Sequence, residues 1–269
     1  MNNFLVVGKP IEHSLSPMIH RMFAEQCGID LTYEKFLSDE SSFQADVKTF
    51  LKNQGRGLNV TVPFKQRAFE LTDELTERAT LAGACNTLMR LDDGRILGDN
   101  TDGIGLVTDL HRHFKSLTGK SLLILGAGGA VRGILGPLLD SKLKMCCIAT
   151  RSPQKAESLK EHFPSITIYD YASIPEQKFD LIINATSAGL TDELPPLPTR
   201  CISPQSLVYD CTYGPKSKPF LDWCRKHGAE NCVDGLGMLV EQAAESFLLW
   251  HGVRPNTDTI IEQLQRNPS

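Results

Sequence analysis

Residues 121–130 read SLLILGAGGA, an apolar run of strand length that is followed by a cluster of glycines. A strand that ends in glycines and opens into a helix aims bare backbone N–H groups and a helix N-terminus at one place, which suits a pyrophosphate. Glycine is required there because a Cβ would hold the phosphates away and because such turns use unusual dihedral angles. Val131 replaces the last glycine of the G-x-G-x-x-G pattern, so the flanking strand and helix must also support the prediction of a dinucleotide site.

The end of the next apolar run indicates which dinucleotide binds. Residues 145–150 read MCCIAT, and Arg151, Ser152 and Lys155 follow. NAD-binding sites usually carry Asp or Glu at this point to hold the ribose 2′-hydroxyl. An acid would repel the 2′-phosphate of NADP, whereas a guanidinium binds it in a bidentate manner and hydroxyls add further bonds. The pattern favours NADP over NAD, and a solvated basic turn is the alternative.

Apolar runs of strand length alternate with helical patterns along the chain, which is typical of the α/β class. In the second half we expect strands at 121–125, 145–150, 179–184 and 207–210 and a helix over 153–162, hence a Rossmann-like, doubly wound sheet. In the first half we expect strands at 4–8 and 57–62, a helix that Ser16 caps, and a hairpin at Asp92-Asp93-Gly94. A helix over 104–114 should link the halves, and one over 238–251 should follow the last strand.

These elements predict two domains with a cleft between them. Residues 1–102 should form a substrate-binding catalytic domain, with residues 236–269 packing back onto it, and residues 103–235 should form the NADP-binding domain. A chain of 269 residues has room for two cores of ordinary size.

Composition disfavours several other classes of function. The net charge of −4 gives no global attraction to nucleic acid or to an anionic membrane. The eight cysteines include no C-x-x-C pair, which favours reduced, buried thiols over disulfides or a metal site. Residues 1–10 lack the apolar length of a signal peptide, and no run approaches the roughly 20 apolar residues of a membrane span. We therefore expect a cytoplasmic protein that binds no metal.

Polar residues of the first half lie where strands are expected to end. Lys65 falls in the first turn of a helix, where a cation opposes the helix dipole at a cost of about 0.3–1 kcal/mol. Asn86 lies in an apolar stretch and needs partners, which either the protein or a ligand could supply. Asp102 precedes a helix and is explained by capping or by function. Each alone favours a structural role, but together they match a known pattern.

The matching stretches occur in one order along the whole chain: SLSP at 14–17, NVTVPFK at 59–65, GACNT at 83–87, GDNTDG at 98–103, GAGGA at 126–130, NATS at 184–187 and DGLGMLVEQA at 234–243. Through these motifs the sequence resembles the shikimate dehydrogenases. The resemblance implies reversible, NADPH-dependent reduction of 3-dehydroshikimate to shikimate in aromatic amino-acid biosynthesis. It also implies that Lys65 and Asp102 form the catalytic pair.

The resemblance further implies two sets of binding residues. The substrate-binding set is Ser14, Ser16, Thr61, Lys65, Asn86, Asp102, Tyr213 and Gln242. The NADP-binding set is Glu77, Gly126, Ala127, Gly128, Gly129, Ala130, Thr150, Arg151, Ser152, Pro153, Gln154, Lys155, Cys211 and Gly235, with the last two near the nicotinamide.

Two departures from the family pattern concern the cofactor. Lys155 stands where the family often has Arg, and Cys211 stands where some members have Met. Two alternatives stay open: a quinate/shikimate dehydrogenase that also uses NAD, and a catalytically silent NADP-binding protein. The complete Lys65–Asp102 pair argues against the second. The expected oligomeric state is a monomer or a homodimer.

Overall fold

The computed structural model describes residues 2–186 and 193–266, with only the backbone of Lys155. The chain forms two compact units, one of Met1–Gly105 with Leu239–Ser269 and one of Leu106–Met238. Both contain sheets flanked by helices, which confirms the α/β class. None of the described helices is both long and apolar enough to cross a bilayer.

The first unit contains a mixed sheet in the order β2-β1-β3-β5-β6-β4. Its strands are β1 (Asn2–Gly8), β2 (Leu31–Leu37), β3 (Gly55–Val60), β4 (Glu74–Leu75), β5 (Thr87–Arg90) and β6 (Ile96–Asp99). Strands β1, β2 and β3 pair in parallel, and the expected hairpin is the antiparallel pair β5–β6. The helices that lie wholly in this unit are α1 (Ser16–Cys27), α2 (Phe43–Lys52), α3 (Lys65–Glu70), α4 (Glu77–Ala82) and α10 (Asp258–Arg266).

Strand β1 shows why this sheet is buried on both faces. Phe4 and Val6 pack in one apolar cluster, whereas Leu5 and Val7 pack in another. Successive side chains of a strand point to opposite faces, so an unbroken apolar run is what a strand covered on both sides requires.

The second unit contains a wholly parallel sheet in the order β12-β11-β10-β7-β8-β9. Its strands are β7 (Ser121–Leu125), β8 (Met145–Ala149), β9 (Thr167–Tyr169), β10 (Leu181–Asn184), β11 (Leu207–Asp210) and β12 (Asn231–Val233). Helices α6 (Gly129–Asp140), α7 (Pro153–Ala156) and α8 (Lys218–Lys226) lie in this unit. The chain order reverses between β7 and β10, which is the topological switch point of a doubly wound sheet.

Two helices carry the chain from one unit to the other. Helix α5 (Asp102–His113) starts in the first unit, and α9 (Leu236–His251) ends in it.

Two details of the sequence prediction were wrong. Ser16 is not the N-cap of α1, because Leu15 occupies that position and Ser16 is the first helical residue. The hydroxyl of Ser14 instead accepts a hydrogen bond from the Ser16 backbone N–H, 3.3 Å away, so Ser14 has a structural contact of its own. The helix expected over 153–162 is only one α-helical turn, and Glu157–Glu161 tightens into a 3₁₀ helix, as often happens at helix ends.

Candidate active site

A lysine and a carboxylate meet in the first unit. Lys65 is the first residue of α3, and Asp102 is the first residue of α5. The Nζ atom of Lys65 lies 2.5 Å from Oδ2 of Asp102, and the two side chains are 16% and 6% exposed. The nearby carboxylate explains how a cation is tolerated at a helix N-terminus, because it offsets the repulsion by the helix dipole.

Asn86 holds the second oxygen of that carboxylate. Its Nδ2 donates to Oδ1 of Asp102 over 2.8 Å, and its Oδ1 accepts from the backbone N–H of Thr101, also over 2.8 Å. Gln242 of α9 adds a contact of 3.3 Å between its Oε1 and the same Nδ2. The partners that a buried Asn requires are thus supplied by the protein, and they fix the orientation of Asp102.

The turn before Asp102 is held by an ion pair that the sequence prediction did not include. Asp99, fully buried at the end of β6, receives Nε and Nη2 of Arg78 over 2.7 and 2.5 Å. Burial works against ionisation of Asp99, but Arg78, Thr76 and the Asn100 backbone N–H outweigh it and lower the pKa of the carboxyl. The ionised Asp99 therefore anchors the short segment that leads to Asp102.

A second group of polar side chains lies around Ser14 and Ser16. Their hydroxyl oxygens are 3.2 Å apart, and Ser16 also hydrogen-bonds Tyr33, whose pKa is raised by burial. The Tyr33 hydroxyl donates to Oδ1 of Asn59 over 2.6 Å.

Asn59 extends this group towards Lys65 and Asp102. Its Nδ2 lies 3.1 Å from Oγ1 of Thr87 and 2.9 Å from Oγ of Ser246. Thr87 in turn donates to Oδ1 of Asn86 over 2.9 Å. Polar side chains thus connect the serines to Asn86 and Asp102. The sequence prediction missed Asn59, although an amide in an apolar strand is the same signal that singled out Asn86.

Thr61 directly follows β3, and its backbone N–H donates to Val7 of β1. Glu77 is the exposed first residue of α4, and its assignment to the cofactor depends on the resemblance alone.

In the second unit, the glycine turn follows β7 at the carboxyl edge of the parallel sheet. Gly126 has a φ of 104°, which only glycine adopts readily. A Cβ on Gly128 or Gly129 would meet no atom within 4 Å, so the turn borders open space. Gly128 is the N-cap of α6 and no side chain bonds there, so the first N–H groups of this helix receive no side-chain cap. This arrangement fits a pyrophosphate.

The residues assigned to the 2′-phosphate follow β8 at the same edge. Thr150 is buried, and its hydroxyl accepts from the Ser152 backbone N–H over 3.3 Å. Arg151 is exposed, and Pro153 starts α7 with Gln154 exposed beside it. The side chain of Lys155 lies outside the described part of the structure, as does Ser187 of the NATS motif.

The remaining cofactor residues follow β11 and β12. Cys211 follows Asp210, and the Gly235 backbone N–H donates to the carbonyl of Thr212 over 2.8 Å. A Cβ on Gly235 would lie 2.5 Å from the Cys211 carbonyl oxygen, so glycine permits a close approach of two backbones. Tyr213 lies in this unit, and its membership of the substrate-binding set stays a prediction.

Within residues 2–186 and 193–266, no group of three or more His, Cys, Asp or Glu residues is arranged to hold a metal ion.

Comparison with known proteins gives matches along most of the chain. Residues 6–88 match the model of the shikimate dehydrogenase substrate-binding domain. Residues 109–191 match the model of shikimate/quinate 5-dehydrogenases, and residues 235–265 match the shikimate 5′-dehydrogenase C-terminal domain.

Individual relatives agree with these models. The shikimate dehydrogenase (NADP⁺) of Legionella pneumophila strain Corby is 50% identical, over 98% of this chain and 99% of that protein. An Ael1 enzyme from Pseudomonas putida is 43% identical with a TM-score of 0.91, and the match covers 98% of each chain. The shikimate 5-dehydrogenase of Thermus thermophilus, solved with NADP(H) and shikimate, is 32% identical over 99% of each chain, with a TM-score of 0.87. The chain therefore belongs to the shikimate dehydrogenase family.

Proposed function

We propose that the chain catalyses the reversible, NADPH-dependent reduction of 3-dehydroshikimate to shikimate, with Lys65 and Asp102 as its catalytic pair. The relatives named above, one of them 50% identical over nearly the whole chain, support the reaction. The observation that carries the residue assignment is the buried ion pair at 2.5 Å, held in place by Asn86.

The pair suits the chemistry of a ketone. When bound, NADPH supplies the hydride to the carbonyl carbon. The oxygen then gains negative charge and needs a proton, which the Lys65 ammonium is suited to donate. Asp102 holds that ammonium and accepts a hydrogen bond from the hydroxyl that forms. In the direction of shikimate oxidation, neutral Lys65 takes the proton back.

The substrate is a carboxylate with several hydroxyls, and the polar side chains of the first unit match such a molecule. We assign Ser14 and Ser16 to the carboxylate, and Thr61, Asn86 and Gln242 to the ring hydroxyls. Tyr213 completes this set. The hydrogen-bond chain from Ser16 through Tyr33 and Asn59 would keep these groups in place before the substrate arrives.

For the cofactor, we assign the pyrophosphate to Gly126–Ala130, where the uncapped start of α6 and the open space above Gly128 and Gly129 support the fit. The 2′-phosphate is assigned to residues 150–155, and Arg151 provides the charge. Cys211 and Gly235 are assigned to the nicotinamide end, and Glu77 completes the set. The first unit would thus bind the substrate and the second unit the cofactor.

We also infer that the enzyme works in the cytoplasm. All eight cysteines carry free thiols, and five of them are buried, which suits a reducing compartment. The proposed site draws on one chain, so either a monomer or a homodimer would be active, and sedimentation would distinguish the two.

The decisive experiment mixes the purified protein with shikimate and NADP and follows the absorbance of NADPH. We expect turnover that Lys65→Ala nearly abolishes. A protein that binds NADPH yet never oxidises shikimate would instead be the silent binding protein.

A further inference from the structure

Two neighbouring strands of the second unit end in buried polar residues. Asn184 ends β10 and Asp210 ends β11, and these residues are register partners in the parallel pair. Their exposed fractions are 1% and 0%. The Nδ2 of Asn184 donates to Oδ2 of Asp210 over 2.9 Å, so one hydrogen bond joins the two strand ends.

Each of these side chains also holds the start of the loop that follows its own strand. Oδ1 of Asn184 accepts from the backbone N–H and hydroxyl of Thr186, over 3.1 and 2.7 Å. Oδ1 of Asp210 accepts from the backbone N–H and hydroxyl of Thr212, over 2.8 and 2.7 Å. The two turns have the same hydrogen-bond pattern, and the bond between Asn184 and Asp210 links one turn to the other.

Both loops border glycines assigned to the cofactor. A Cβ on Gly126 would lie 3.1 Å from the Ala185 carbonyl oxygen and 3.2 Å from Cγ2 of Thr186. On the other side, the Thr212 carbonyl accepts from Gly235. Strands β7 and β10 also flank the switch point, where dinucleotides cross doubly wound sheets.

Burying these two polar side chains is energetically unfavourable if their only role is to stabilise the fold. Among the residues that the structure describes, no cation is bonded to Asp210. Burial, together with the nearby Asp234, raises the pKa of the Asp210 carboxyl. Buried polar pairs are often no better for stability than well-packed apolar residues. A requirement for fixed loop geometry explains why this pair lies at the carboxyl edge.

We propose that Asn184 and Asp210 are a positioning pair that fixes the first residues of the loops after β10 and β11, residues 185–186 and 211–212, against the pyrophosphate and the nicotinamide of NADP. This inference rests on the proposed function. It predicts that the bond between the two side chains, rather than either residue by itself, sets the affinity for the cofactor.

Reciprocal exchange of the two residues tests this directly. Asn184→Asp places two carboxylates face to face. In Asp210→Asn, the new amide oxygen can still accept from Thr212, but the amide nitrogen then faces Nδ2 of Asn184 and cannot accept its hydrogen bond. In the double variant the new carboxylate at position 184 accepts from Thr186, and the new amide at position 210 accepts from Thr212. The amide at 210 then donates to the carboxylate at 184, so every hydrogen bond returns with its direction across the pair reversed.

The measurements are kcat, the KM for NADP, the KM for shikimate, NADPH binding by fluorescence titration, and the melting temperature. We expect each single variant to weaken NADPH binding and raise the KM for NADP about ten- to hundredfold, the effect of losing one charged hydrogen bond. The KM for shikimate should change less than about twofold, and the double variant should recover most of the NADP affinity.

Acid should partly rescue Asn184→Asp, since one protonated carboxyl can donate to the other. The pH profile of NADPH binding checks this. Asp234 and the thiol of Cys224 also interact with Asp210, so Asp234→Asn and Cys224→Ala serve as references for their separate contributions.

Asp180→Asn is the control at the opposite edge of the same sheet, where Asp180 is partly exposed and also forms an ion pair with Lys120. There Oδ2 of Asp180 accepts from the backbone N–H and hydroxyl of Ser121, over 2.9 and 2.7 Å. This variant should lower the melting temperature without changing the KM for NADP.

Two results would overturn the positioning pair while wild-type turnover upholds the proposed function. One is that the single variants bind NADPH as tightly as wild type. The other is that the double variant loses as much NADPH affinity as the two single variants lose together. If Asn184→Asp folds poorly, the comparison of Asp210→Asn with the double variant still decides. Absence of wild-type turnover with shikimate and NADP would instead reject the proposed function.

Discussion

Lys65 and Asp102 form a largely buried ion pair, with Nζ and Oδ2 2.5 Å apart. Removing the lysine takes away the proposed proton donor and leaves a buried carboxylate held by Asn86. We expect Lys65→Ala to reduce kcat by roughly 10²–10⁴. The variant should also melt earlier than wild type, because an uncompensated buried charge is destabilising.

The double variant Lys65→Ala/Asp102→Asn separates these two effects. It removes the charge together with its partner, so part of the stability should return while kcat stays low. Lys9→Ala is the control, because its ion pair with Asp39 lies on the surface. A stable Lys65→Ala enzyme with near-normal kcat would exclude Lys65 from the chemical step.

Arg151 should set the preference for NADP. It is exposed at the end of β8, where NAD-binding sites carry an acid. Arg151→Asp removes a charge-assisted bond of about 1.5–3 kcal/mol and adds repulsion, so the Kd for NADP should rise by more than about tenfold. The Kd for NAD should change little. Arg225→Asp, an equal change of charge at an exposed position of α8, is the control for both titrations. If the ratio of the Kd values for NADP and NAD is unchanged in Arg151→Asp, Arg151 does not set the cofactor preference.

Shikimate should be strongly preferred to quinate. Quinate carries an additional hydroxyl on the carbon that bears the carboxylate, next to the positions assigned to Ser14 and Ser16. Those hydroxyls are already engaged with each other and with Tyr33, and a site of fixed polar groups rejects a group that it cannot pair. We expect kcat/KM to favour shikimate by at least about 100-fold. Steady-state kinetics with both acids provide the measurement, and similar values would assign the chain to the quinate/shikimate type.

His20 should make the fold sensitive to acid. It is fully buried, its ring stacks on Tyr33 at 4.2 Å, and neither ring nitrogen has a well-placed partner among the described residues. Burial and then His251 lower its pKa from 6.5 to about 3 and outweigh an opposing contact with Asn59. Below pH 6.5 the unfolded chain binds a proton that the folded chain rejects. The free energy of unfolding should therefore fall by about 1.4 kcal/mol per pH unit, or roughly 2 kcal/mol by pH 5.

Urea denaturation of wild type and His20→Phe at pH 7.5 and 5 measures this contribution. The variant keeps an aromatic ring and should lose about 2 kcal/mol less stability on acidification. The exposed His13→Gln is the control for removing an imidazole. An equal loss in wild type and His20→Phe would mean that other groups cause the acid sensitivity.

Local sequence signals were sufficient for the central strands. The bounds predicted for β7 were confirmed, because Lys120 and Gly126 flank an unbroken apolar run. Strand β2 gave no such signal: it reads LTYEKFL, lies at the sheet edge and buries only Tyr33. Ser16 was misassigned as a cap because a cap depends on the backbone dihedrals of Leu15, which composition does not reveal.

Some residues of the candidate site likewise gave a local sequence signal, and others gave none. Lys65 and Asn86 stood out because each conflicts with its local surroundings, whereas Asp102 was assigned through the family resemblance. Ser246 had no such conflict, since a serine in a helix is unremarkable, yet its hydroxyl lies 2.8 Å from Thr87, which is 159 positions away. Partners that far apart are set by the packing of α9 on the sheet, and only the three-dimensional structure brings them together.

The division of the chain also sets the order in which a ribosome can finish the two units. Leu106–Met238 is continuous, so it is complete before Gln242 and Ser246 have been added. The first unit begins earlier but needs both residues, whose bonds reach Asn86 and Asn59. Domains usually fold in order from the N-terminus during synthesis. Here the second unit can fold first, and a translation product that stops just after Met238 would contain the complete second unit without a completed first one.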